Sequence, residues 1–107
     1  MKKSTSLLLL IISAITIFAQ NPYTSADYTV REELDIFYGT ATGFDGNTDS
    51  LFMDLYKPEG DDNCKRPCIV FVHGGAFIAG NRKESSLVTL CQEMAKRGYM
   101  AASIKYR

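Results

Sequence analysis

The segment Cys68-Ile-Val-Phe-Val-His-Gly-Gly-Ala-Phe-Ile-Ala-Gly80 decides the fold of this chain. It begins with a continuous apolar run, residues 69–72, without the polar alternation of a half-exposed strand. Such a run is typical of a parallel strand that is buried on both faces. The run ends before Gly74 and Gly75, which lack a Cβ and can adopt backbone conformations closed to other residues. The segment therefore predicts a buried strand followed by a loop with accessible backbone N–H groups.

The position of this loop indicates a binding site. Open α/β sheets bind ligands beyond the C-terminal ends of their strands, and N–H groups held there can stabilise negative charge on an oxygen. The residues of this segment match a phosphate-binding loop less well than they match an oxyanion-binding loop. Gly75 and Gly80 have the glycine spacing of a P-loop, but Asn81-Arg82 stand where Lys and Ser or Thr are required, and no G-x-G-x-x-G is present. The pattern thus favours an oxyanion as the ligand.

The flanking segments predict the other elements of the fold. Apolar residues on alternate positions predict strands over 28–38 and 51–56, separated by a polar turn. Apolar residues at helical spacing predict a helix over 85–97, and 99–106 has the composition of another strand. Strand, helix and strand in this order form a βαβ unit, which should cross over right-handed. The predicted fold class is α/β, with antiparallel first strands followed by this unit.

The first 19 residues have the features of a secretory signal peptide. Lys2 and Lys3 precede a nearly continuous apolar run over 7–18, and Ala19 is a small residue at a suitable cleavage position. The run is shorter than the ~20 residues that span a membrane. We therefore expect cleavage after Ala19, a secreted or periplasmic location and no membrane span in the mature protein.

Composition excludes a nucleic-acid partner. Cleavage would remove two of the twelve basic residues and none of the twelve acidic ones, leaving a net charge of −2. This balance is not that of a nucleic-acid-binding protein. Residues 20–107 allow one small domain at most.

The three cysteines do not indicate a metal centre. Their odd number leaves at least one of Cys64, Cys68 and Cys91 unpaired within the chain. Cys64 and Cys68 could close a small loop, whereas Cys91 lies on the apolar face of the helix and is expected to be a small buried hydrophobe. Two close cysteines and the single His73 supply too few ligands for a metal. We expect no metal and no cofactor.

The sequence resembles the α/β-hydrolase superfamily at several landmarks. His73-Gly74-Gly75-Ala76-Phe77, with Gly80, is similar to the HGGG-type loop of carboxylesterases and lipases. Leu51–Pro58, ending in Asp-Leu-Tyr-x-Pro, resembles the second strand of that family, and Ala95–Tyr99 resembles the end of its first helix. The resemblance implies that residues 20–107 are the N-terminal portion of an α/β-hydrolase domain, with an incomplete sheet.

The resemblance also implies a role for two backbone groups. The N–H groups of Gly75 and Ala76 would stabilise the oxyanion of a tetrahedral intermediate, together with a donor that follows the nucleophilic serine. Ala76 replaces the third glycine of the motif. Its N–H remains, but its Cβ would narrow the acyl pocket.

The remaining residues of the loop have structural or cleft-lining roles in this interpretation. His73, Gly74 and Gly80 would shape the loop, and we expect His73 to act structurally rather than as a catalytic base. Phe77 and Ile78 either line the substrate cleft or pack beneath it.

The catalytic triad has no candidates in this sequence. There is no G-x-S-x-G, and His73 is the only histidine. In the family the nucleophile, acid and base all follow this region. We therefore expect an N-terminal fragment of a secreted serine carboxylic-ester hydrolase, inactive alone and lacking the C-terminal part of its domain. Without that part, residues 69–72 would form an unpaired apolar edge.

The substrate and one alternative function stay open at this point. A small-molecule or carbohydrate-linked ester is expected, but esterase, carbohydrate deacetylase and peptidase activities are all compatible with these residues. The alternative function is that of a non-catalytic α/β-hydrolase-like binding or adhesion protein that keeps the fold without the triad. A further possibility is a short protein that folds only with a partner that supplies the missing strands.

Overall fold

A computed structural model describes residues 23–60, 64–76 and 78–107. The predicted signal peptide and Phe77 lie outside the described residues. The described chain forms, in order, β1 (Val30–Thr42), β2 (Thr48–Pro58), β3 (Cys68–Val72), α1 (Ser85–Lys96) and β4 (Met100–Ile104).

The strands form a four-stranded mixed sheet in the order β1-β2-β4-β3. β2 pairs antiparallel with both β1 and β4, whereas β3 and β4 are parallel neighbours. Because α1 connects β3 to β4, these elements form the predicted βαβ unit. The predicted α/β class with antiparallel first strands is confirmed.

The first hairpin is longer than predicted. The Gly- and Thr-rich segment after Tyr38 was expected to be a turn, but β1 continues to Thr42, opposite Thr48. The ladder with β2 satisfies the backbone polar groups of this segment, and that gain outweighs its weak strand propensity. The turn is confined to residues 43–47.

The core lies between α1 and one face of the sheet. Tyr56 and Ala101 from the strands pack there with Cys91 and Ala95 from the helix. Cys91 is fully buried, as predicted, and burial raises the pKa of its thiol to about 11. Its thiol is therefore neutral at physiological pH and inert.

Strand β3 is less buried than its apolar run predicts. Phe71 packs against the core under α1. Val70 and Val72 point to the opposite face, because side chains alternate along a strand, and each is 56% exposed. The expected edge position is observed, but the expected burial on both faces is not. The loop closure considered for Cys64 and Cys68 is not formed, since both are free and exposed.

No helix among the residues that the structure describes is long and apolar enough to cross a membrane.

Candidate functional site

The candidate site lies where the C-terminal ends of β3 and β4 meet. Because these strands are parallel neighbours, the segments that follow them start at the same edge of the sheet. They enclose a shallow pocket of about 160 Å³. The pocket is lined by His73, Ile78, Ala79, Gly80, Lys105, Tyr106 and Arg107.

His73 is buried at the start of the loop. Its Nδ1 lies 2.9 Å from the carbonyl oxygen of Gly74, and because a carbonyl can only accept, Nδ1 carries the proton and donates it. The ring of Tyr106 stacks on the imidazole with the centroids 4.5 Å apart. The Tyr106 hydroxyl also donates to the carbonyl oxygen of His73 at 2.9 Å. These contacts fix His73 to the backbone of the loop and to Tyr106. Its structural role stays a prediction.

Two glycines of the loop leave no room for a side chain, although both are exposed to solvent. A Cβ on Gly80 would lie 2.0 Å from the carbonyl oxygen of Gly74 and 2.4 Å from Nδ1 of His73. A Cβ on Gly75 would lie 1.7 Å from the carbonyl oxygen of Ala79. Both glycines also have positive φ, 110° and 133°, which L-residues rarely adopt. The backbone conformation of the loop therefore requires glycine at both positions.

The N–H groups predicted to bind an oxyanion are not used by the loop itself. The carbonyl oxygen of Gly75 accepts hydrogen bonds from the N–H groups of Ile78 and Ala79, each at 3.0 Å. Within the described part of the chain, neither the N–H of Gly75 nor that of Ala76 donates a hydrogen bond, and both residues are exposed. Ala76 has a φ of 51°, the left-handed conformation that favours glycine.

The pocket has one apolar wall and two cationic side chains at its rim. Ile78 is 92% exposed, which places this cleft candidate on the surface rather than beneath the loop. Lys105 donates to the carbonyl oxygen of Ser50 at 3.3 Å, and Arg107 donates to that of Thr42 at 3.1 Å. Both cations thus hold the segment after β4 against the first hairpin.

A buried ion pair lies close to the end of the loop and was not predicted from the sequence. Asp54 of β2 is fully buried, and the side chain of Arg82 is 12% exposed. Arg82 Nε lies 3.1 Å from Asp54 Oδ2. The sequence signal for this pair was Asp54, a carboxylate between Met53 and Leu55 in an otherwise apolar strand. Such a carboxylate indicates a nearby partner, because a charge is rarely buried unpaired.

Comparison with known proteins assigns the family. The BD-FAE family matches residues 53–107, slightly more than half of the chain and including the whole loop. The chain belongs to the BD-FAE family. Among curated proteins, isoprenylcysteine alpha-carbonyl methylesterase ICME of Arabidopsis thaliana is 40% identical over 55 residues. That alignment covers 51% of this BD-FAE chain and 12% of the methylesterase.

The solved structures include a similar chain titled Bacterial Heroin Esterase, with a TM-score of 0.49 and 25% identity. The similarity covers 95% of this chain and 28% of that one. The family match and the related methylesterase confirm the resemblance to α/β-hydrolase esterases that the loop motif predicted. The BD-FAE chain spans only a small fraction of the length of the curated relative that it matches.

Proposed function

We propose that the full-length protein is a secreted serine carboxylic-ester hydrolase in which the loop of residues 73–80 forms part of the oxyanion hole. The observation that carries this proposal is that the N–H groups of Gly75 and Ala76, two exposed residues, donate no hydrogen bond within the described part of the chain. They lie beyond the C-terminal end of a parallel strand in an esterase-related family.

The chemistry requires donors at this place. When a serine attacks an ester carbonyl, the carbonyl oxygen gains negative charge in the tetrahedral intermediate. Preorganised N–H groups stabilise that charge more than they stabilise the neutral ester, and each donor lowers the barrier by about 3 kcal/mol. Gly75 and Ala76 would supply two donors, and the residue after the nucleophile would supply the third.

His73 supports this chemistry without taking part in proton transfer. Its Nδ1 proton is committed to the carbonyl oxygen of Gly74, and the ring of Tyr106 covers its face. In this proposal the serine, the acidic residue and the catalytic histidine come from the part of the full-length protein that follows this sequence.

The proposed substrates are small-molecule or carbohydrate-linked carboxylic esters. The pocket is small, and exposed Ile78 gives it an apolar wall suited to an acyl group. The related Arabidopsis protein is named a methylesterase, which falls within the same class of reaction.

Residues 1–19 would act as the signal peptide that directs residues 20–107 out of the cytoplasm, and N-terminal sequencing of the exported protein tests the cleavage after Ala19.

Hydrolysis of p-nitrophenyl acetate tests the proposed activity. The full-length protein is expected to turn over this ester, and a serine-directed phosphonate is expected to abolish the turnover. The 107-residue chain alone is expected to show no phosphonate-sensitive turnover. A full-length protein without such activity, or without a G-x-S-x-G, would contradict the proposal and support the non-catalytic alternative.

A further inference from the structure

A buried ion pair follows the C-terminal end of the loop of residues 73–80. Arg82 lies two residues after Gly80, and its guanidinium contacts the fully buried carboxylate of Asp54, with 3.1 Å between Nε and Oδ2. We propose that Arg82 and Asp54 are positioning residues that hold the N–H groups of the loop where an oxyanion forms. This inference rests on the function proposed above.

The second oxygen of Asp54 connects this ion pair to β1. Oδ1 accepts the backbone N–H of Asp35 at 2.8 Å. Asp35 has a φ of 56° and lies at an irregularity in the register between Glu33 and Ile36, which has the character of a β-bulge. Bulges redirect side chains, and here the carboxylate of Asp35 forms a second ion pair with Arg82. Asp54 thus stabilises the backbone irregularity that brings a second carboxylate to Arg82.

The main chain of Arg82 is fixed independently of its side chain. The hydroxyl of Ser103, fully buried on β4, donates to the carbonyl oxygen of Arg82 at 2.8 Å. The guanidinium also lies over the ring of Phe52, 5.8 Å from its centroid. Arg82 is therefore held by contacts to three strands of the sheet.

These contacts determine where the loop can lie. The loop starts at His73, which Tyr106 holds, and ends at Arg82, which the sheet holds. A shift of Arg82 would move Gly80, which lies two residues before it and packs directly against His73. The turn that contains Gly75 would then change its shape. Misplacement of a catalytic group by about 1 Å can lower the rate ~100-fold. A buried ion pair contributes little net stability, but loss of one partner leaves a buried charge unpaired.

Steady-state kinetics of the full-length protein test this role. Arg82→Gln is expected to lower kcat by about 10- to 100-fold while KM changes less than about threefold. Arg82→Lys keeps the charge and should recover part of kcat. The double variant Asp54→Asn/Arg82→Gln should be no slower than Arg82→Gln alone, because the two residues act as a unit.

The control is Lys96→Gln, which removes a surface ion pair to Glu93 on α1. It is expected to leave kcat unchanged. Wild-type kcat in folded Arg82→Gln, or a loss confined to KM, would overturn the proposal.

Amide hydrogen exchange supplies a readout that does not depend on esterase activity. The N–H groups of Ile78 and Ala79 are bonded to Gly75 in the turn, so their exchange reports on the loop. Arg82→Gln should accelerate their exchange by about tenfold or more while Ala101 and Ala102 in β4 keep their protection. Unchanged exchange at Ile78 and Ala79 would overturn the inference even if the enzyme is active.

The two proposals can fail separately. If the wild-type full-length protein lacks serine-dependent activity, the proposed function fails, and hydrogen exchange still decides whether Arg82 positions the loop. If Arg82→Gln does not fold, Arg82→Lys is measured in both assays, and wild-type kcat together with wild-type exchange in that variant would overturn the proposal.

Discussion

The hairpin turn of residues 43–47 and the loop of residues 73–80 both contain glycine, and they use it differently. In the hairpin turn of residues 43–47, the N–H of Gly43 donates to the carbonyl oxygen of Asn47 at 2.8 Å, and the N–H of Gly46 donates to that of Gly43 at 3.1 Å. The side chain of Asp45 accepts the N–H of Asn47 at 3.1 Å. This turn satisfies its own hydrogen bonds through neighbours in the sequence.

The loop of residues 73–80 also has internal hydrogen bonds, from the N–H groups of Ile78 and Ala79 to Gly75, but it depends in addition on a distant part of the chain. A Cβ on Gly46 would meet nothing within 4 Å, whereas a Cβ on Gly80 would collide with Gly74 and His73. His73 in turn is held by Tyr106, which follows β4. The difference shows that a turn can leave N–H groups for a ligand when tertiary contacts add to its own hydrogen bonds in holding its shape.

Replacement of one glycine in each turn should give the largest difference. Gly80→Ala is expected to lower the free energy of unfolding by about 2–5 kcal/mol, because strain in the left-handed region adds to overpacking. Gly46→Ala, with positive φ but no collision, should cost about 1–2 kcal/mol. Urea denaturation of the two variants measures this difference, and equal losses would remove the distinction between the turns.

Removal of one tertiary contact should give a smaller effect. Tyr106→Phe keeps the ring that stacks on His73 but removes the hydroxyl that donates to the His73 carbonyl oxygen. The free energy of unfolding should fall by about 1 kcal/mol. Urea denaturation tests this, and Tyr38→Phe, which removes the hydroxyl that donates to the carbonyl oxygen of Lys105, is the comparison deletion outside the loop. A Tyr106→Phe variant as stable as the wild type would show that the loop does not need this anchor.

Relief of backbone strain should stabilise the loop slightly. Ala76 has a φ of 51°, so Ala76→Gly removes a left-handed penalty and restores the third glycine of the motif. The greater flexibility of glycine in the unfolded chain offsets part of this gain, and we expect a net increase of about 0.5–1 kcal/mol in the free energy of unfolding. Thermal denaturation measures the change, and destabilisation would show that the methyl group makes contacts that outweigh the strain.

The smallest expected effect is local to the hairpin turn. The side-chain hydrogen bond from Asn47 lowers the pKa of Asp45 below its usual value of 3.8. A lowered pKa in the folded state means that this contact adds stability above pH 3.8, which is lost as the pH falls through the folded-state value. Asn47→Ala should return the pKa of Asp45 towards 3.8, as followed by NMR titration. An unchanged titration in that variant would show that the turn is not stabilised by its own side chains.

Much of the fold could be predicted because its signals are local. The spacing of the apolar residues predicted α1 and the first two strands, and a continuous apolar run predicted β3. The position of Cys91 on the apolar face of the helix predicted its burial. The extension of β1 to Thr42 could not be predicted in this way, because it depends on pairing with β2 rather than on residue preference. The half-exposed face of β3 likewise depends on which elements cover it.

The backbone groups of the candidate site were predicted from the loop motif, whereas the residues proposed to hold the loop in place were not. Gly75, Ala76 and His73 are adjacent in the sequence, so their association is readable from the motif. Asp54 and Arg82 are far apart in the sequence, and only the sheet topology brings them together.

The amino-acid sequence by itself determined the order of strands and helix, the glycines after β3 and the family to which they point. The tertiary structure decided which backbone groups remain unbonded and which distant charges surround the loop. The physical reason is that periodicity and backbone freedom belong to neighbouring residues, whereas burial, collision and ion pairing require the packed sheet. The Asp54–Arg82 pair exists only after β1, β2 and β4 have assembled beside the loop.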